Sequence, residues 1–383
     1  MKNNKITFID LFCGAGGLSI GFESQGFIPL YANDIDKHSI ETFQKNYLHI
    51  SPDRIVCGDI EDFIKDKSKE LASIKCDLVV GGPPCQGFSM ANRQRLIDDP
   101  RNKLYKKFME AISIIKPKMF LMENVKGMNK VADQVVYDSL KIGYQTQYRV
   151  LNAKFFGIPQ NRERIFYIGC RSDKFKNPYD IIERIFAQIL KHQETKEVPI
   201  KDALWGLRKL QPKSEKNDTS IESRDHGFTK DELFPKEKPP EYILKINGGK
   251  IPEFIFNHKT RYNNKRDIEI YRLLPQGGKS DHPVISHIMP YTKRNGIFKD
   301  KFYKLLPNEP SKTITSHMKF DCHMYIHPYE TRGLTPREAA RIQSFPDNYI
   351  FYGPFTQWYN QIGNSVPPIL AGIIAKNVKR IAF

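Results

Sequence analysis

The chain has 383 residues, of which 40% are hydrophobic and 27% charged, as is ordinary for a globular protein of one or two domains. The formal net charge of +17 is not ordinary, and it favours a polyanionic partner, most simply nucleic acid. The six cysteines form no CxxC pair, which argues against a disulfide framework or a zinc site and favours a reducing cytoplasm. No apolar run approaches the ~18 residues of a membrane span. We therefore expect neither a membrane partner nor a metal site.

The first predicted elements are a strand over 6–11, a glycine-rich turn over 12–17 and an amphipathic helix over 18–27. This order opens a nucleotide-binding βαβ unit, because glycines let the backbone approach a ligand and the helix N-terminus favours a polar or anionic group. The glycine spacing is GxGG rather than the GxGxxG of dinucleotide sites. The turn by itself therefore leaves open a cofactor site and a simple connection.

Acidic residues end the next two predicted strands. The second strand ends at Asp34 and the third at Asp59. An acid at the end of the second strand suits hydrogen bonding to ribose hydroxyls. A helix predicted over 37–47 offers an alternative, because either Asp34 or Asp36 could serve as its N-cap.

The fourth predicted strand, 76–80, runs into the sequence GGPPCQGFS at 81–89. Cys85 would lie at the carboxyl end of a parallel strand, where open α/β sheets keep their sites, on a backbone stiffened by two prolines. The alternative is a proline turn with a small buried cysteine. A polar stretch over 89–102 follows and is predicted to be a mobile loop.

Glu123 lies in a fifth apolar strand predicted over 119–125. Burial would raise the pKa of this carboxyl group, which could pair with an arginine or donate a proton. Alternating Arg and Glu at 160–164 are also typical of a solvated hairpin. The rest of the sheet is predicted from a helix at 131–141 and strands near 144–151 and 165–170.

The pattern changes between about 171 and 330, where no βαβ rhythm is visible. Residues 241–320 hold 15 Lys and Arg against 7 Asp and Glu, with Tyr and His among them. This composition suits a nucleic-acid-binding face, although a solvated insert would look similar. Farther along, Thr335 followed by Pro336 and Glu338 predicts a helix start.

Six motifs, taken together and in this order, resemble those of the cytosine-C5 DNA methyltransferase family. The resemblance covers nearly the whole chain except the basic insert, which lies where the family has its variable target-recognition region. The motifs are DLFCGAGG (10–17), GGPPCQGFS (81–89), ENV (123–125), QNRER (160–164), RGLTPREAARIQSFP (332–346) and QIGNSVPP (361–368).

The resemblance implies a nucleophilic role for Cys85, whose thiolate would add to C6 of cytosine and make C5 reactive. It implies that Glu123 contacts or protonates N3 of the base. Arg164 is expected to hold O2, with Arg162 supporting the site. Because a base inside a duplex cannot present C6 to a thiol, the cytosine would be flipped out of the helix.

The resemblance also implies S-adenosylmethionine as the cofactor, without a metal. Asp34 occupies a position that is often Glu in the family, and either acid could hold the ribose hydroxyls. Asp59 would contact the adenine amino group, and Pro84 would border the methyl-transfer channel. The cofactor-binding residues expected from the resemblance are Phe12, Gly14, Gly16, Asp34, Ile35, Asp59, Ile60, Pro84, Asn364 and Ser365.

We therefore predict an α/β fold, with a mostly parallel, Rossmann-like methyltransferase sheet in residues 1–170 and 351–383, and a smaller irregular target-recognition domain with a hinge in 171–350. Double-stranded DNA would lie in a basic cleft between the two domains. The form of the chain resembles a bacterial cytoplasmic modification enzyme, expected to be monomeric, that works alongside a cognate restriction endonuclease. Two alternatives are a tRNA cytosine-C5 methyltransferase on the same scaffold and a DNA-binding homologue without catalysis.

Overall fold

The structure is a computed structural model, and it describes residues 5–84, 103–216, 220–235, 237–289 and 301–383. The chain divides into two compact units. The first consists of residues 1–156, 162–194 and 365–383, and the second of residues 157–161 and 195–364. The domain limits given above remain a prediction.

A seven-stranded sheet forms the centre of the first unit, in the order β3-β2-β1-β4-β5-β7-β6. β7 runs antiparallel to both of its neighbours, and the remaining pairs are parallel. A mostly parallel sheet with its crossover helices is the predicted α/β architecture. The strands are β1 (Thr7–Leu11), β2 (Ile28–Asp34), β3 (Ile55–Cys57), β4 (Leu78–Gly81), β5 (Met119–Val125), β6 (Tyr144–Asn152) and β7 (Glu163–Arg171).

Helices connect these strands and cover the sheet, because apolar faces such as that of α4 pack on the buried strands. The helices of the first unit are α1 (Gly17–Ser24), α2 (Lys37–Asn46), α3 (Ile60–Ser73), α4 (Lys103–Ile115), α5 (Ala132–Lys141), α6 (Pro178–Leu190) and α12 (Pro368–Ala382).

The end of the chain packs closely on the first helix. An added Cβ at Gly17 would lie 2.3 Å from the carbonyl oxygen of Val366, and one at Gly21 would lie 2.4 Å from the Cβ of Ala371. Glycine is therefore needed on this face of α1. The contact fixes the segment after Ser365 beside the turn that follows β1.

The second unit contains a two-stranded antiparallel sheet, β8 (Gly227–Glu232) with β9 (Phe254–Lys259), and short helices. The motif at 332–346 is held by buried ion pairs: Arg332 contacts Glu338 at 2.7 Å, and Arg341 contacts Asp347, directly after the motif, at 2.7 Å. This motif therefore has a structural role in the unit. Its helices are α7 (Ile200–Ala203), α8 (Glu241–Ile246), α9 (Lys265–Leu273), α10 (Pro336–Ile342) and α11 (Phe355–Asn364).

Local signals predicted some element limits better than others. The helix at Pro336 starts as predicted, since Thr335 and Glu338 form a reciprocal capping box. The helix predicted over 18–27 is shorter and ends at Ser24, because Gly26 adopts a left-handed conformation with φ of 80°. The helix Pro178–Leu190 was not predicted. In the part of the chain that the structure describes, no helix is both long and apolar enough to span a bilayer.

Candidate active site

The carboxyl ends of the parallel strands bring the predicted site residues to one edge of the sheet. After β1, the chain turns with φ of 57° at Phe12, 53° at Gly14 and 77° at Gly16. Positive φ is easy for glycine and uncommon for phenylalanine. The backbone N–H of Gly14 donates to Oδ2 of Asp34 at 2.8 Å. The glycine turn and the end of β2 are thereby joined into one surface.

The two acids after β2 have different roles. Asp36 is the N-cap of α2 and accepts a hydrogen bond from the backbone N–H of His38 at 3.1 Å. Asp34 instead accepts from Gly14 and, at 2.8 Å, from the backbone N–H of Asp36. Burial raises the pKa of Asp34, and these N–H donors offset part of the rise. Each carboxylate oxygen can accept more than one hydrogen bond, so Asp34 can still receive hydrogen bonds from ribose hydroxyls.

The other predicted cofactor residues after β2 and β3 show both polar and apolar surface. Asp59 is the N-cap of α3 and accepts a hydrogen bond from the backbone N–H of Glu61 at 2.7 Å. This acid therefore has a structural role that the sequence analysis did not predict. Ile60 beside it is buried, whereas Ile35 is 68% exposed. An exposed isoleucine next to a partly buried carboxylate suits the apolar face and polar edge of an adenine ring.

Arg162 and Ser365 meet although 203 positions separate them in the chain. The guanidinium Nη2 of Arg162 donates to the carbonyl oxygen of Ser365 at 3.0 Å, and Arg162 is only 2% exposed. Arg162 therefore holds the last segment of the first unit in place. Asn364 ends α11 in the second unit, and its cofactor role remains a prediction.

Glu123 and Arg164 form a buried ion pair at the same edge. Because β7 is antiparallel to β5, Glu123 is opposite Phe166, which places Arg164 two residues away on the same sheet face. The Nε of Arg164 lies 3.1 Å from Oε1 of Glu123. Burial raises the pKa of Glu123, and the charges of Arg164 and Arg162 offset only part of the rise. The carboxyl group is thus suited to carrying a proton at a higher pH than an ordinary glutamate.

Two residues that we did not single out support Glu123 and the proline turn. An added Cβ at Gly82 would lie 3.1 Å from Oε2 of Glu123, so a larger residue would crowd the carboxyl group. The side-chain amide of Asn124 donates to the carbonyl oxygen of Pro83 at 2.9 Å. Pro84 follows and is exposed. In the sequence, the only sign of this contact was an asparagine directly after Glu123. Its partner Pro83 lies 41 residues earlier in the chain and could not be predicted from the sequence.

Cys85 and the loop over 89–102 lie outside the described residues. The five other cysteines are all described, and the pKa of each is raised, in every case first by burial. For Cys13, which lies in the glycine turn, the charges of Asp34 and Asp10 raise the pKa further. None of these five thiols is therefore activated for nucleophilic attack. Within the described ranges, no three His, Cys, Asp or Glu side chains are grouped as metal ligands.

The fold and this edge of the sheet define the class of the protein, an α/β enzyme of the S-adenosylmethionine-dependent methyltransferase type. The family follows from comparison with known proteins. Residues 6–380 match the model of the C-5 cytosine-specific DNA methylase, so the chain belongs to this family. It is an enzyme that methylates C5 of cytosine in DNA. The match does not favour tRNA as the substrate or a non-catalytic binding protein.

Similar proteins are type II methyltransferases. M1.HphI of Haemophilus parahaemolyticus is 30% identical over 98% of this chain and 87% of its own length. M.FnuDI of Fusobacterium nucleatum is 33% identical over 97% of this chain and 93% of its own. A prophage-encoded protein of E. coli, described as a DNA modification methyltransferase, has a crystal structure with a TM-score of 0.71, 27% identity and 99% coverage of both chains.

Proposed function

We propose that the chain transfers the methyl group of S-adenosylmethionine to C5 of a cytosine that has been flipped out of a specific double-stranded DNA sequence. The observation that carries this proposal is the buried pair of Glu123 and Arg164 beside the turn that leads to Cys85. A carboxyl group with a raised pKa and a fixed guanidinium are complementary to N3 and O2 of cytosine. The family match supports the same chemistry.

In the proposed reaction, the thiolate of Cys85 adds to C6 of the cytosine and forms a carbon–sulfur bond. Glu123 donates a proton to N3 as electrons move into the ring, and Arg164 holds O2. C5 then becomes nucleophilic. After methylation at C5, with S-adenosylhomocysteine as the leaving group, N3 returns its proton to Glu123 and a base such as water takes the C5 proton. Elimination of the thiolate then restores the aromatic ring and frees Cys85.

The residues around the glycine turn fit the cofactor. Gly14 leaves open space where a Cβ would lie, so its backbone can approach a ligand closely. Asp34 would hold the ribose hydroxyls and Asp59 the adenine amino group, with Ile35 and Phe12 on the apolar faces of the ring. The bound cofactor would supply an electrophilic methyl group. Gly16, Ile60, Pro84, Asn364 and Ser365 complete the proposed set.

The decisive test of the nucleophile is a pair of cysteine variants. Cys85→Ser should abolish methyl transfer and leave cofactor binding by calorimetry unchanged, because serine at neutral pH is a far weaker nucleophile. Cys57→Ser is the matched control, since Cys57 is exposed and its raised pKa makes it unreactive. DNA that contains 5-fluorocytosine should trap the wild type covalently and fail to trap Cys85→Ser. Retained turnover in Cys85→Ser would contradict the assignment.

The biological setting proposed is protection of bacterial cytoplasmic DNA from a cognate restriction endonuclease, with the methylase acting as a monomer. The type II names of similar proteins support this setting. Bisulfite sequencing of DNA from a host that expresses the chain should reveal methylated cytosines in one short sequence. The same DNA should resist an endonuclease that cuts this sequence. Methylation of tRNA in place of DNA would refute the proposal, and sedimentation would test the monomeric state.

A further inference from the structure

The glycine turn after β1 has one open side and one covered side. An added Cβ at Gly14 would meet no atom of the described chain within 4 Å. An added Cβ at Gly16 would lie 3.0 Å from both Cε2 and the hydroxyl oxygen of Tyr47, and 3.2 Å from Cδ2 of Phe43. The Gly14 side is therefore accessible to a ligand, whereas the Gly16 side is packed against two aromatic rings.

Tyr47 is held firmly in its place beside the turn. It is 3% exposed, and its ring stacks on that of Phe43, with the centroids 4.1 Å apart and the planes 14° from parallel. Its backbone N–H donates to the carbonyl oxygen of Phe43 at 2.9 Å, as the C-cap of α2. Its hydroxyl group donates to the carbonyl oxygen of Gly16 at 3.2 Å. Because α2 fixes both the backbone and the ring of Tyr47, it also fixes the position of this hydroxyl group.

The other end of α2 is bonded to the same edge of the sheet. Asp36, the N-cap of α2, donates from its backbone N–H to Oδ1 of Asp34 at 2.8 Å. Asp34 in turn accepts from the backbone N–H of Gly14 through its other oxygen. The helix is thus linked to the glycine turn at both ends, through Asp34 to Gly14 and through Tyr47 to Gly16. A shift of the turn relative to Asp34 would break at least one of these bonds.

The bond from Tyr47 also fixes the peptide group at the start of α1. The carbonyl of Gly16 accepts the hydroxyl group of Tyr47 and, at 2.9 Å, the backbone N–H of Ile20. In a planar trans peptide, the N–H of Gly17 points away from the carbonyl of Gly16. Gly16 is the N-cap of α1 and makes no side-chain cap bond. The N–H groups of the first turn of α1 therefore favour an anionic group from a ligand.

We propose that Tyr47 is a positioning residue for the cofactor, because its hydroxyl group fixes the peptide between Gly16 and Gly17 and so presents the first turn of α1 to the amino-acid carboxylate of S-adenosylmethionine. The inference rests on the proposed function, in which the glycine turn binds this cofactor. Tyr47 acts through the turn and is not assigned a contact with the reacting atoms. Its hydrogen bond should contribute a factor of about 3 to 10 to the affinity.

The test uses Tyr47→Phe, which keeps the stacked ring and removes only the hydroxyl group. Two ligands are compared by calorimetry, S-adenosylhomocysteine and 5′-methylthioadenosine. Both are neutral thioethers of adenosine, and only the first carries an amino-acid carboxylate and amine. Tyr47→Phe should bind S-adenosylhomocysteine about 3- to 10-fold more weakly and 5′-methylthioadenosine less than about twofold more weakly. The KM for S-adenosylmethionine should rise by the same factor as the first loss, with an unchanged single-turnover rate at saturating cofactor.

Tyr144→Phe is the matched control. Tyr144 is also buried in the first unit, and its hydroxyl group also donates to a backbone carbonyl, that of Pro117 at 2.6 Å. Pro117 precedes β5 and so lies at the amino end of that strand, away from the carboxyl ends that form the candidate site. Tyr144→Phe should leave both affinities unchanged. Thermal unfolding of both variants, measured on the same samples, shows that each is folded.

Three results would contradict these assignments in different ways. Wild-type affinity of Tyr47→Phe for S-adenosylhomocysteine would overturn the inference. An equal loss for both ligands would also overturn it, because it would indicate a general effect on packing rather than a role at the amino-acid end of the cofactor. A wild type that binds neither ligand would refute the proposed cofactor site, and the inference with it.

Discussion

Replacing Glu123 with glutamine tests the proposed chemistry with little change in shape. Glutamine keeps the side-chain size but cannot carry the carboxyl proton to N3. General acid catalysis contributes about 10²- to 10⁴-fold, so the methyl-transfer rate should fall by that factor, which equals about 2.7–5.5 kcal/mol of barrier. The drop should appear in the single-turnover rate rather than in cofactor affinity, because Glu123 is not among the proposed cofactor residues.

The geometry of the Glu123–Arg164 pair also gives the expected effect of Glu123→Gln on the free energy of unfolding. Arg164 loses its charged partner at 3.1 Å, in a pair whose side chains are only 11% and 15% exposed. Removing one partner of a fully buried pair costs about 3–5 kcal/mol. Glutamine can still accept from Arg164, so we expect a smaller loss of about 1–3 kcal/mol in the free energy of unfolding. A domain with a typical stability of roughly 5–15 kcal/mol would remain folded, and the loss of rate would be chemical.

The pH dependence of the methyl-transfer rate tests the role of the Glu123 proton independently. The pKa of Glu123 is raised in the folded state, so its protonated fraction falls as the pH rises through that value. The wild-type rate should therefore decline on the alkaline side, and Glu123→Gln should lack this decline. Folded-state stability contributed by the proton is likewise lost as the pH rises.

The assay is single-turnover transfer of a labelled methyl group to unmethylated DNA, with urea unfolding on the same samples. Glu163→Gln serves as the control, because Glu163 lies on β7 directly before Arg164, is 43% exposed and is paired with Lys126 at 2.9 Å. It should change neither rate nor stability by more than about 0.5 kcal/mol. A Glu123→Gln rate within threefold of the wild type would refute the role of Glu123 as a proton donor.

Three further substitutions test cofactor binding by Asp34, the packing of Gly17 and the buried carboxyl group of Asp10. Asp34→Asn should weaken cofactor binding about tenfold by calorimetry, since an amide accepts less strongly from ribose hydroxyls, and an unchanged affinity would remove Asp34 from the site. Gly17→Ala should lower the free energy of unfolding by about 1–3 kcal/mol because its Cβ would meet Val366, whereas Gly58→Ala, with open space around it, should have little effect. Burial raises the pKa of Asp10 to about 7, so wild-type stability should fall as the pH rises from about 4 to about 7. Asp10→Asn should remove that slope in urea unfolding, and an unchanged slope would contradict it.

Local sequence patterns predicted most of the strands of the sheet and the start of one helix. Short apolar runs that end in glycine or acid marked β1 to β5, and the Thr-Pro-x-Glu signal marked the start of α10. These signals act within a few residues, so they survive without knowledge of the tertiary fold. The limits of α1 and the presence of α6 were missed. A left-handed glycine ended the first of these helices early, and the second lies in a stretch interrupted by polar residues.

The roles of the acids after β2 needed the tertiary structure. Asp34 and Asp36 are both reasonable helix caps in the sequence. The register of β1 against β2 places Gly14 next to Asp34, so its N–H is bonded there and Asp36 is left to cap α2. A spacing of 20 residues between donor and acceptor carries no local signal.

The sequence by itself determined the kinds of residue available and their order: a glycine turn, acids at strand ends, a proline-held cysteine, a glutamate and two arginines. Only the tertiary structure decided which of them meet. The antiparallel course of β7 brings Arg164 against Glu123, and the packing of α1 on the last helix brings Ser365 to Arg162. The physical reason is that burial, strand register and close backbone contact depend on residues far apart in the chain, and it is burial that raises the pKa of Glu123.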